Sequence, residues 1–197
     1  MAGRTSGPPG WSRFPAGRFE EGGAGDTIFH GGFGMINVQG IVKPSFHAYR
    51  MLGGLGDELL ATSDCGVVTR DSASGKLSAL AFHYPPEMPL SVPASFDSRD
   101  KAYETLGLGQ EVEFRLQLSG LDPAGSLLVE VLNADHGNAM AGWIAIGAPE
   151  EPTREQIGFL RQVSTETDKE CAIANELGQY STVLKLMPWS VVSVKEL

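Results

Sequence analysis

The sequence predicts a mainly β fold: an antiparallel β-sandwich with one docked helix, preceded by a single βα unit. Three observations carry that reading. Short stretches rich in Val, Leu and Thr recur from residue 59 onward, separated by turn chemistry such as Asp71-Ser-Ala-Ser-Gly75. Several of them alternate apolar and polar residues at period two, the signature of a half-buried strand. Before them lies a glycine-dense loop that runs into a helix opened by a proline.

Taken in order, residues 1–18 are Gly, Pro, Arg and Ser with Trp11 and Phe14 interspersed, and no stable element is expected there. Residues 19–56 form the βα unit. The segment 28–38 is apolar and broken by glycine, and Lys43-Pro44 then starts a helix in which the missing proline N–H does no harm. Phe46, Tyr49, Met51 and Leu52 give that helix an apolar face, and Gly53-Gly54 ends it. Residues 57–197 form the sandwich. Its strands are expected at 59–63, 66–70, 77–84, 111–118, 126–133, 182–186 and 190–194. Leu77, Ala79, Ala81 and His83 share one face; so do Val112, Phe114, Leu116 and Leu118, and again Leu127, Val129 and Val131. The prolines between 85 and 93 exclude a central strand. Pro152-Thr-Arg-Glu-Gln156 carries a capping-box pattern with Thr153 as N-cap, and Ile157, Leu160 and Val163 predict a helix face docked on the sandwich.

Composition narrows the function classes. With 197 residues and 42% hydrophobic content the chain is an ordinary globular protein, too short for a complete β/α barrel plus a second domain. The formal charge of −9, without any Lys/Arg cluster, argues against nucleic acid or an anionic membrane as partner. Cys65 and Cys171 lie far apart without CxxC spacing, and reduced thiols are the default reading. No apolar run approaches the roughly 20 residues of a membrane span, and no signal-peptide hydrophobic stretch opens the chain, which together predict a cytoplasmic location.

The motifs of several enzyme classes are missing. There is no GxSxG elbow, no HExxH, no GxxxxGK[ST], and no GxGxxG after a strand. The four histidines, His30, His47, His83 and His136, have no Cys or carboxylate at ligand spacing, so no metal and no cofactor is expected. What stands out instead is the run Phe19-Glu-Glu-Gly-Gly-Ala-Gly-Asp-Thr-Ile-Phe-His-Gly-Gly-Phe-Gly34. Glycines at that density let the backbone pass close to other groups and suit a loop that lines a site. Glu20 and Glu21, as sequence neighbours, point to opposite sides of an extended segment, so at most one faces a pocket; either is equally readable as a solvated loop charge.

These residues resemble the closing barrel segment of glycoside hydrolase family 39, the β-xylosidases and their α-L-iduronidase relatives. Phe19, Glu20 and Glu21 match the family's F-E-E element, 29–34 its F-H-G-G-F-G loop, and Gly40-Ile41, Lys43-Pro44 and Ala48-Tyr49 its G-I-x-K-P-x-x-x-A-Y helix. Farther on, Asp135-His-Gly-Asn-Ala139, Trp143, Gly147, Pro149 and 152–157 are similar to its D-x-x-H-S-N-A, W, G-S-P and P-T-x-E-Q-I run, and Met187-Pro-Trp-Ser-Val-Val192 to its closing strand. Two departures stand beside the matches. Arg13-Phe-Pro-Ala-Gly-Arg18 replaces the Trp- and Asp-bearing start of the last barrel strand, and Gly137 stands where the family has Ser.

The resemblance implies that residues 19–56 are the last, remnant βα unit of a (β/α)8 barrel, and that the acid/base and nucleophile glutamates lie upstream of Met1. It implies substrate contacts for Glu21 or Glu20, with His30 and Phe33 on the rim, and xylosides or xylo-oligosaccharides as ligands of the intact enzyme. Alone, the chain is expected to be inactive. Asp135, His136 and Asn138 read either as a tie from the sandwich toward the barrel or as an Asx-rich turn, and Trp143 as core. Two rival roles for the sandwich are a carbohydrate-binding module and a structural or homo-oligomer contact; the low aromatic content, 8%, counts against the first.

Overall fold

The computed structural model describes residues 28, 34–85 and 109–197. In chain order these form α1 (Pro44–Leu52), β1 (Glu58–Ser63), β2 (Gly66–Arg70), β3 (Leu77–Phe82), β4 (Val112–Ser119), β5 (Ser126–Leu132), α2 (Ala139–Ala145), α3 (Arg154–Thr165), β6 (Asp168–Ile173), β7 (Gln179–Leu186) and β8 (Val191–Glu196). Six strands make one sheet in the order β1-β2-β3-β8-β5-β6, and β4 pairs with β7 in a second sheet of two. The pairings are antiparallel.

The two sheets share one core. Register sets Ala79 opposite Val194 and Val194 opposite Val129, so the apolar sets of β3, β8 and β5 fall on one face. Leu77, Ala79, Ala81, Leu127, Val129, Val192 and Val194 pack there against Leu116 and Leu118 of β4 and Leu186 of β7. Each fully buried leucine contributes about 1.5–3 kcal/mol relative to exposure, which is what closes so small a second sheet over the first. The phases read from the sequence hold for these residues.

The outer face of the large sheet carries α1. Met51 packs with Leu80 and Leu132, flanked by Ala48, Leu55, Val67 and Val191. Here the expected apolar face needs correction: Tyr49 is 61% exposed and Leu52 47%, whereas the buried pair is His47 and Met51, one helical turn apart. A polar ring is buried because a carbonyl on α3 meets it: His47 Nε2 lies 2.7 Å from Ser164 O. No strand precedes α1 among the described residues; Ile36 makes a single bridge to Val42 that closes a turn.

Two elements escaped the sequence reading. Strand β6 is an edge strand, mostly exposed, and its DKECAI sequence has no buried face to impose alternation. Helix α2 is only seven residues long and is held by Asn138, whose side chain accepts from Met140 N at 3.0 Å. Helix α3 has its capping box as expected, with Thr153 N–H donating to Gln156 Oε1 and Gln156 N–H to Thr153 Oγ1. Its docking partner differs. Leu160 packs with Trp143 and Ala139 of α2 and with Ile28 and Ile41, so α3 docks on α2 and the 36–42 turn and not on the sandwich face.

Candidate functional site

Glu20, Glu21, His30 and Phe33 lie outside the described residues. What is described is the mount that follows their loop. Asn37, 9% exposed, organises it: its Nδ2 donates to Ile28 O at 3.0 Å, its Oδ1 accepts from Ile41 N at 2.8 Å, and its backbone O accepts from Gly40 N at 2.9 Å. Lys43 N–H donates to Met35 O, leading the chain into α1, and burial pushes the Lys43 ammonium below the usual lysine range.

Helix α3 clamps this mount. Ser164, fully buried, accepts from Val42 N at 3.1 Å and donates to Arg161 O at 2.8 Å, while Arg161 Nε donates to Gln39 O. With the His47–Ser164 contact, one helix face ties down both the turn and α1. Sequence reasoning missed Asn37, Arg161 and Ser164. Asn37-Val-Gln-Gly40 does carry turn chemistry, but partners 122 residues away leave no local signal.

A second tie joins α1 to β5 and β6. Arg50 meets Glu130 through two hydrogen bonds, Nη1 to Oε2 at 2.9 Å and Nη2 to Oε1 at 2.6 Å. Thr167 Oγ1 donates to the same carboxylate, and Lys169 Nζ stands 3.6 Å from it. Burial opposes ionisation of Glu130, but the hydrogen bonds from Arg50 and Thr167 and the charges of Arg50 and Lys169 outweigh it and bring its pKa down to about 2. An acid held ionised in that way is an anchor and not a proton donor at neutral pH.

The 133–138 segment is an Asx turn, the second of the two readings. Its organiser is Asn133, whose Oδ1 accepts from Asp135 N and His136 N, both at 2.9 Å. Asn138 serves as the α2 cap, and among the described residues no hydrogen bond ties the Asp135 side chain to α1. Gly137 has a structural reason: φ is +72°, and a Cβ there would lie 2.8 Å from Leu132 Cδ1. Its N–H donates to Glu166 O at 2.6 Å. Trp143 is core as expected, 5% exposed, with Nε1 donating to Pro149 O at 3.0 Å. Among the described residues no group of three His, Cys, Asp or Glu side chains is placed to hold a metal ion, and no helix is long and apolar enough to cross a membrane.

The family model described as glycosyl hydrolases family 39 matches residues 14–179. The chain belongs to that family. It is 30% identical over 142 residues to a β-xylosidase of Geobacillus stearothermophilus, covering 72% of this chain and 24% of that protein. A β-xylosidase of Caldicellulosiruptor saccharolyticus is 28% identical over 187 residues, 89% of this chain and 34% of that one. The family 39 chain thus spans about a quarter to a third of the length of these curated relatives. Among solved structures, the family 39 enzyme of Xanthomonas axonopodis pv. citri aligns with a TM-score of 0.65 at 20% identity, over 87% of this chain and 33% of its own. A monomeric β-xylosidase of Caulobacter crescentus CB15 aligns at 0.60 and 22%, over 88% and 34%. These two likenesses speak for the fold.

Proposed function

We propose that this family 39 chain works as the C-terminal part of a β-xylosidase-like retaining glycosidase. In that reading residues 19–56 supply a substrate-subsite loop and the last helix of the barrel, and residues 57–197 form the accessory sandwich. The observation that carries it is the match to the Geobacillus β-xylosidase: 72% of this chain accounts for only 24% of that protein. A xylosyl bond hydrolysed with retention needs two carboxylates about 5–5.5 Å apart. Those are assigned to barrel strands upstream of the loop. Glu21 or Glu20 then accepts hydrogen bonds from sugar hydroxyls, Phe33 offers a hydrophobic face to the ring, and His30 sits at the rim.

The clamp of Asn37, Arg161 and Ser164 supports this assignment, because it fixes the turn directly after the loop against helix α3. A subsite loop contributes to catalysis only if it is held in the productive geometry. The test is turnover of nitrophenyl xyloside by the purified chain. No release above the uncatalysed rate is expected, since nucleophile and proton donor are both supplied from elsewhere; sustained release that copurifies with the chain refutes the assignment.

A carbohydrate-binding role for the sandwich has one observation in its favour. Tyr84, 48% exposed, lies edge-to-face with Trp189 at 5.0 Å. Titration with xylo-oligosaccharides followed by Trp fluorescence separates this from the subsite reading.

A further inference from the structure

Three large aromatic side chains gather where β3 ends and the turn before β8 begins. Exposure alternates along 82–84 as it does in a strand: Phe82 is 38% exposed, His83 is buried and Tyr84 is 48% exposed. Phe82 and Tyr84 therefore stand on the side of Leu80, the side that carries α1, at a spacing of roughly 6.5 Å. The half-buried Trp189 joins them from the turn, its ring edge-to-face with Tyr84 and the centroids 5.0 Å apart.

Trp189 is held there against its own backbone preference. Met187-Pro-Trp-Ser190 is a β-turn, closed by Ser190 N–H donating to Met187 O at 3.1 Å, with Pro188 at its second position. Trp189 follows at φ +67°, a left-handed conformation that such a turn favours for Gly or Asn. The surroundings enforce it. Trp189 N–H donates to His83 O at 2.8 Å, His83 N–H to Ser190 O at 2.9 Å, and Ser190 Oγ to Met187 O at 2.6 Å. His83 is pinned in turn, its Nε2–H donating to Gln110 O at 2.9 Å. Backbone strain kept in place by so many bonds is a feature of ligand clamps. Glycine would fill this turn without strain, so what tryptophan adds is its ring.

Braced, uncharged rings that face solvent suit a sugar. The electron-rich face of an aromatic ring attracts the C–H groups of a pyranose, and the Tyr hydroxyl and Trp N–H can bond its hydroxyls. A stable protein partner needs roughly 800 Å² per side, more than three aromatic side chains of about 150–250 Å² each supply when partly buried already.

We propose that Phe82, Tyr84 and Trp189 form a stacking platform for an extended xylan chain. The platform develops the carbohydrate-binding role of the sandwich, and the choice of xylose rests on the β-xylosidase relatives. It does not depend on the loop at 19–34. The probe is xylohexaose, titrated into the full chain and followed by amide and indole chemical shifts. Saturating shifts confined to 82–84 and 187–190 are expected. Trp189→Gly suits the turn, so its melting temperature should hold while affinity falls about tenfold. Tyr84→Ala, at an exposed position, should weaken binding to a similar degree and decides the matter if Trp189→Gly fails to fold. Affinity unchanged in the folded variants, or shifts that never saturate, overturn the proposal. Equal binding of maltohexaose, whose chain coils, also overturns it. Turnover of nitrophenyl xyloside by the chain refutes the fragment assignment and leaves the platform standing, so the two fail separately.

Discussion

Arg50 and Glu130 meet as a two-pronged ion pair across the seam between α1 and β5, with nitrogen–oxygen distances of 2.9 and 2.6 Å. Residue 50 belongs to the helix after the glycine-rich loop, and residue 130, its side chain 6% exposed, to the strand next to the edge of the large sheet. The pair therefore couples the loop's helix to the sandwich, and its geometry is the one at which arginine is hard to replace.

Removing one partner leaves the other desolvated without compensation. Arg50→Ala is expected to destabilise the chain by about 2–4 kcal/mol, because it leaves the buried Glu130 carboxylate with only Thr167 and Lys169 beside it, and Glu130→Ala by less, because the guanidinium left behind is half exposed and water replaces part of what it loses. Chemical denaturation of both variants checks the order; a larger loss for Glu130→Ala contradicts the assigned burial.

Acid should weaken the same tie. The folded Glu130 pKa, about 2, lies below its ordinary value of 4.5, so the folded state favours the ionised form. That stability is complete above the unfolded value and is lost as pH falls from 4.5 toward 2. Glu130→Gln should flatten that portion of the stability–pH curve and leave the neutral side parallel to the parent.

Ser164→Ala probes the clamp on the turn. It leaves the Val42 N–H without its acceptor in a buried setting, at a cost of about 1–2 kcal/mol. Hydrogen exchange at Val42 should accelerate more than at strand β3, since the loss is local. Unchanged protection at Val42 would show that the clamp does not hold the turn.

Two glycines with similar backbone angles should respond differently to alanine. At Gly178, φ +66°, a Cβ would sit 2.2 Å from Leu121 O; at Gly75, φ +78°, nothing lies within 4 Å. Gly75→Ala should cost about 1 kcal/mol from backbone strain alone, and Gly178→Ala at least about 3, because the backbone itself must move. Thermal melts of the two variants suffice to test this.

The strands with an inward face were legible in the chain alone, because alternation in Val112–Ser119 is the direct imprint of one buried side. So were the capping box at Thr153 and the helix opened by Pro44, which are set by neighbours within four residues. The matches in order from residue 19 to the C-terminus, taken together, carried the family resemblance. The edge strand β6 was invisible because a strand exposed on both faces imposes no pattern, and α3 was sent to the wrong neighbour because its apolar stripe says only that something covers it.

What the sequence by itself determined is which residues turn inward within each element, since period and local capping act over a few positions. What only the tertiary structure decided is which elements meet: Arg50 with Glu130, and Ser164 with Val42 and His47. Those pairs are 80 or more residues apart, and hydrogen bonding and charge fall off within a few ångströms, so no local pattern in the chain records them.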